Sequence, residues 1–142
     1  MSGVAAIRHL LASDSSLIAV VPAARIKAGD LPLNTVLPAI SVTQVSSVPR
    51  NTVAMTEVSR LNTDRVQVTV MVKNTDGEPA GTGYPGLRSI LRLVLAACPN
   101  TRGTVNGVHL DSILPDEEGP DLPDVELSFI SGSRDFLVRF NA

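Results

Sequence analysis

Apolar and polar positions alternate strictly along residues 65–73, RVQVTVMVK: Val66, Val68, Val70 and Val72 fall on one side, Arg65, Gln67, Thr69, Met71 and Lys73 on the other. A period of two with one dry side predicts a strand of an antiparallel sheet covered on one face, because a strand buried on both faces reads as an unbroken apolar run. A second pattern, at helical spacing, joins Leu87, Ile90, Leu91, Val94, Leu95 and Cys98 and leaves Arg88 and Arg92 on the far side. Pro85 suits the first turn of that helix, and Pro99 stops it.

Around these two anchors the rest of the chain falls into shorter elements. Ser2 is placed to cap a first helix, with Val4, Ile7, Leu10 and Leu11 at helical spacing and an end near Ser13. Asp14 is placed to cap a short second helical turn through Leu17, Ile18 and Val21, closed by Pro22. Residues 24–28 form a short strand candidate. A strand then starts at Pro38, with Ile40, Val42 and Val45 as its buried side. Further extended segments are predicted at 105–114, 125–130 and 134–140. Helices, strands, one helix and strands again, in that order, argue for an α+β fold with a mainly antiparallel sheet and helices packed on one face. At 142 residues the chain is one domain by default, able to bury roughly 68% of its unfolded surface.

Residues 48–63, VPRNTVAMTEVSRLNT, are polar and β-prone without a helical period, and read as a long projecting hairpin or loop. With 12 Lys plus Arg against 14 Asp plus Glu, the net charge of −2 supplies no basic field for holding nucleic acid. The apolar runs, such as residues 17–21, are far below the roughly 20 residues that cross a bilayer, and the N-terminus lacks a signal-peptide stretch. The chain is expected to be neither secreted nor membrane-spanning.

Three motifs invite a chemical reading. The stretch GTGYPG contains a formal G-x-G-x-x-G at Gly81, Gly83 and Gly86, but the turn from the preceding strand is long. A nucleotide site also wants an acid at the end of a parallel strand about 20 residues on, whereas Asp111 sits in a segment that reads as antiparallel. Pro85 removes an amide donor from the helix entrance, so that entrance is the favoured reading over a nucleotide site. Cys98, His109 and Asp111 could be imagined as nucleophile, base and orienting acid, but Cys98 lies on the apolar helix face as a small hydrophobe and His109 alternates on a strand. Two histidines and one cysteine are too few for a metal cluster; no catalytic residue, cofactor or metal is expected. The run PDEEGPDLPDVE, finally, concentrates Asp116, Glu117, Glu118, Asp121, Asp124 and Glu126 in a region without Lys or Arg from Gly103 through Ser133. It reads as a solvated acidic loop, or as a surface that repels DNA or docks a basic partner.

The helix with its break at Asp14, the short ARIKAG strand, LPAISVTQVS, the long loop into DRVQVTVMV, the helix that follows and the terminal SRDFLVRF resemble, in that order, the tail completion or tail terminator proteins of long-tailed bacteriophages. The resemblance spans nearly the whole chain and is carried by the order of loose patterns, of which 64–70, 37–45 and 133–140 are the most specific. It implies a structural virion protein of the tail and neck, assembled in the host cytoplasm. Such a subunit forms a homo-oligomeric, usually hexameric, ring on the last ring of the tail tube, stops polymerisation and presents a surface to the head-tail connector or stopper. Its implied partners are further copies of itself, the major tail tube protein and that connector, with DNA only as passing cargo and no membrane. A ring needs two different patches per chain; the sheet edges and the 48–63 segment, with Arg50, Glu57 and Arg60, are candidates. Asp116, Glu117, Glu118 and Asp121 are candidates for an acidic lumen or docking surface. The alternatives are another neck component, such as a head completion or connector subunit, and a nucleotide-binding domain using Gly81, Gly83 and Gly86.

Overall fold

The computed structural model describes residues 3–32, 36–50, 61–74, 83–124 and 128–141. Helix α1 spans Gly3–Ser13 and buries Ala6, Ile7 and Leu11, two of them one helical turn apart. The short helix α2, Ser15–Ile18, begins where Asp14 Oδ1 accepts the Leu17 N–H at 2.9 Å, the capping role read from the sequence. It is briefer than expected. The chain turns at Val20 and Val21, both bonded back to the Leu17 carbonyl, directly before Pro22. The stretch expected as a strand from residue 24 divides into a 3₁₀ turn, Ala23–Arg25, and a three-residue strand β1, Ile26–Ala28.

Two long strands follow, β2 at Ala39–Arg50 and β3 at Leu61–Lys73, paired antiparallel. The ends of the segment expected to project are rungs of this ladder: Val48 pairs Thr63, Pro49 pairs Asn62 and Arg50 pairs Leu61. Residues 51–60, with Glu57 and Arg60, lie outside the described residues, and so does Ser2, the expected first cap. Helix α3, Gly83–Ala97, buries Leu87, Ile90, Leu91 and Val94, as its spacing predicts. What reads as one extended segment at 105–114 is a hairpin of β4, Gly103–Val105, and β5, Val108–Glu118. The turn is Asn106-Gly107, both at positive φ, the pair that a two-residue hairpin turn prefers. Strand β6, Leu122–Asp124, and strand β7, Phe129–Asn141, complete the fold; residues 125–127, half of the segment expected at 125–130, lie outside the described residues.

The strands form one sheet in the order β1-β2-β3-β7-β5-β4, with β6 pairing the start of β7 beyond the end of β5. The sheet is mixed: β1 runs parallel to β2, while every other pair is antiparallel. Between β3 and β7 the register is unbroken, so Asp64, Val66, Val68, Val70 and Val72 oppose Val138, Phe136, Arg134, Gly132 and Ile130 on one face. The four valines and Phe136 are completely buried there. Gly3 of α1 stands against Asp64 and Val138, and Leu87 and Leu91 of α3 lie over Gly132, positions that share this face. The expected buried Val45 is 54% exposed, because the β2–β3 register shifts between Gln44 and Ser46 and the extra residue is turned out of the pleat.

Candidate interaction surface

The opposite face of β3 and β7 carries the polar set: Thr63, Arg65, Gln67, Thr69 and Met71 oppose Arg139, Leu137, Asp135, Ser133 and Ser131. Arg65 is its hub. Its Nη1 donates to Asp116 of β5 and, at 3.5 Å, to Asp135 Oδ2 of β7, linking three strands. The hydrogen bond it donates to Asp116 raises the Arg65 pKa above its already high ordinary value, desolvation opposing it and Asp135 adding to it. A second cluster joins α3, β5 and β7: Arg88 Nη1 lies 2.6 Å from Glu118 Oε1, and Arg134 Nη1 lies 3.7 Å from Glu118 Oε2. Glu118 likewise raises the Arg88 pKa. Both guanidiniums are charged at every physiological pH, and because these groups are about one-third exposed, the pairs fix strand register more than they add stability.

These contacts correct the reading of the acidic run as a solvated loop. Asp116, Glu117 and Glu118 end strand β5, and Leu122–Asp124 is strand β6. Of the four acidic candidates, Asp116 and Glu118 hold ion pairs to Arg65 and to Arg88 and Arg134, whereas Glu117 and Asp121 are exposed at the sheet margin. The partners escape a local reading because they come from β3, α3 and β7, far along the chain. The available signal was the alternation Val108, Leu110, which continues the strand toward the acids. Arg50, by contrast, ends β2, so the candidate basic and acidic residues belong to different strands on opposite sides of β3 and β7.

Gly83 and Gly86 are buried in the first turn of α3, Gly83 at positive φ, and Gly81 lies outside the described residues. The described part of GTGYPG is a helix start. Cys98 is 2% exposed just after α3, His109 is exposed on β5 with Nδ1 3.3 Å from Thr104 Oγ1, and Asp111 is exposed on the same strand. Burial, with the nearby Asp14 carboxylate adding to it, pushes the Cys98 thiol up from an ordinary 9.0 to about 12. It is a packed hydrophobe, not a thiolate. At pH 8 the native thiol is therefore expected to react with iodoacetamide about 1000-fold more slowly than in urea-unfolded chain, from the three-unit gap in thiolate population. The sign for stability follows: below pH 9 both states hold the proton, and between pH 9 and about 12 only the unfolded chain loses it, so stability falls over that window. Labelling of the folded protein at the unfolded rate would overturn this placement.

Among the described residues no group of His, Cys, Asp and Glu is arranged to hold a metal ion, and no helix is long and apolar enough to cross a membrane.

The family model for tail completion protein gp17 matches residues 5–114. No curated protein matches the chain. A chain in the solved structure "Virion of native gene transfer agent (GTA) particle" superposes with a TM-score of 0.67 at 14% identity, covering 99% of this chain and 96% of that chain. At that identity the likeness is one of fold, and it extends across the whole domain.

Proposed function

The chain belongs to the tail completion protein gp17 family, a structural component of the virion tail, and from that premise we propose that it forms a ring on the end of the tail tube, stops tube polymerisation and provides the joining surface for the head. The family match over residues 5–114 carries this reading. The fold supports it in a specific way. A sheet with one face sealed by helices and two dissimilar edges offers the two different patches that a head-to-tail ring requires. Such a protein acts through shape and contact. Its partners in this reading are further copies of itself, the tail tube protein on one side and the connector or stopper on the other, with DNA passing through.

Arg50, Glu57 and Arg60, at and beyond the end of β2, are proposed contacts to the tube or to the next subunit. Glu117 and Asp121 are the acids proposed for a docking or DNA-repelling surface, since Asp116 and Glu118 hold arginines of their own chain.

The test is electron microscopy of the purified protein mixed with growing tail tubes from the same virus. Density capping one tube end, together with halted growth, is the expected result. Bare tubes that continue to lengthen would overturn the terminator role and move the protein to the head side of the neck.

A further inference from the structure

The four long strands β2, β3, β7 and β5 lie side by side in that order and alternate in direction. Their number is even, so β2 on one margin and β5 on the other run antiparallel. A rotation that keeps every copy pointing the same way therefore brings β2 of one copy beside β5 of the next in antiparallel sense. Among the described residues both margins lack a strand neighbour at the same height. Among the described residues, β1 covers only Ile40, Ser41 and Val42 of β2, and β4 covers only Val108, His109 and Leu110 of β5. Residues 43–50 and 111–118 thus have no strand partner on their outer sides among the described residues.

Register across the sheet shows what would meet. Ser46, Arg65, Leu137 and Leu114 stand on one level. Within two residues of that level on β2 are Val45 and Val48, 54% and 62% exposed, and Leu114 on the other margin is 41% exposed. These apolar side chains would leave water if the two margins of neighbouring copies met. The charges are complementary at both ends of that apolar centre. Strands β1 and β2 contain Lys27 and Arg50 and no acid, whereas β5 contains Asp111, Asp116, Glu117 and Glu118 and neither Lys nor Arg. Glu118 is level with Val42 and Ala28, next to Lys27, and Arg50 is level with His109, two residues from Asp111.

The β5 margin is also guarded against indiscriminate strand addition. Pro115 has no N–H, and the Ile113 N–H is taken by Asn100 Oδ1 at 3.0 Å. Side chains, not a long backbone ladder, would carry the contact, which favours one partner over any passing strand.

We infer that the β2 margin of one copy, through Val45, Val48 and Lys27, seats against the β5 margin of the next, through Leu114, Asp111 and Glu117, with Arg50 adding to the basic charge of the first margin. This rests on the ring reading above and names the surfaces that close it. A heterologous contact of this kind links one margin only to the other, never to itself.

The test uses full-length Val48→Cys and Leu114→Cys proteins, with the buried Cys98 left in place, a short bismaleimide crosslinker, and samples with and without tail tubes. The equimolar mixture is expected to give at least about 10-fold more crosslinked dimer than either variant alone, as a head-to-tail contact demands. Adding Lys27→Glu and Arg50→Glu to the first variant should suppress that product, and Asp111→Lys with Glu117→Lys in the second should restore it. Thermal melts establish that each variant is folded, and native mass spectrometry of the wild type reports the ring independently. A wild-type ring without excess mixed dimer would overturn the margin contact and leave the ring reading standing. A wild-type protein that is monomeric both alone and on tubes would overturn both.

Discussion

Replacing Phe136 by alanine is expected to lower the stability of the folded chain by about 3–5 kcal/mol, the usual cost of emptying a fully buried aromatic site. Phe136 is completely buried in β7, in register with Val66 of β3 on one side and Pro115 of β5 on the other. Its ring fills the face on which the helices rest, and a strand paired on both sides cannot collapse into the void. Against a total stability of about 5–15 kcal/mol this loss removes about a fifth or more, and it corresponds to a fall in Tm of about 10–20 °C. Phe136→Leu keeps most of the volume and should cost under about 1.5 kcal/mol. Urea denaturation of the three proteins checks the ranking. An alanine variant within about 1 kcal/mol of wild type would mean that this face of β7 is not the centre of the core.

The second large effect is expected at Asp64, a carboxylate 1% exposed on the helix-covered face. Its Oδ2 accepts the Gly3 N–H at 3.0 Å, so a residue of β3 caps the first turn of α1 across 61 positions of sequence. The capped end of a helix carries partial positive charge, which a carboxylate stabilises. Asp64→Ala leaves a buried N–H without an acceptor and should cost about 2–3 kcal/mol, near the upper end for such a loss because α1 is anchored there. Asp64→Asn keeps an acceptor oxygen and should cost about half as much. The margin is not larger because Asp64 Oδ1 is itself buried with no partner among the described residues, and its removal returns part of the loss. A Cβ on Gly3 would stand 3.0 Å from the Asp64 Cβ and 3.2 Å from the Val138 Cβ, so a larger residue there would require these neighbours to give way. Equal stability of Asp64→Ala and wild type in calorimetry would show that the helix end is satisfied some other way.

Where periodicity is local, the sequence by itself determined the element. The alternation of Val66, Val68, Val70 and Val72 specified both the strand and its buried face, since a period of two admits only one way to hide four valines. The spacing of Leu87, Ile90, Leu91 and Val94 did the same for α3, and Asp14 announced its helix start because capping reaches only three residues. The hairpin at Asn106-Gly107 was equally local and could have been read from that dipeptide. Segment order carried the family resemblance, because order survives when individual residues change.

Tertiary structure alone decided the rest. The parallel pairing of β1 with β2 depends on which distant edge is vacant, and the bulge that exposes Val45 depends on register with β3; neither leaves a periodic trace in β2. The acidic run took its character from Arg65, Arg88 and Arg134, whose charges reach it only after β3, α3 and β7 are in place. The cap on α1 came from Asp64, which the sequence showed only as one more charge before a strand. The two facing margins of the candidate surface likewise exist only once four strands alternate side by side. Ion pairs, caps and edges between remote segments are set by three-dimensional proximity, for which a one-dimensional pattern has no counterpart.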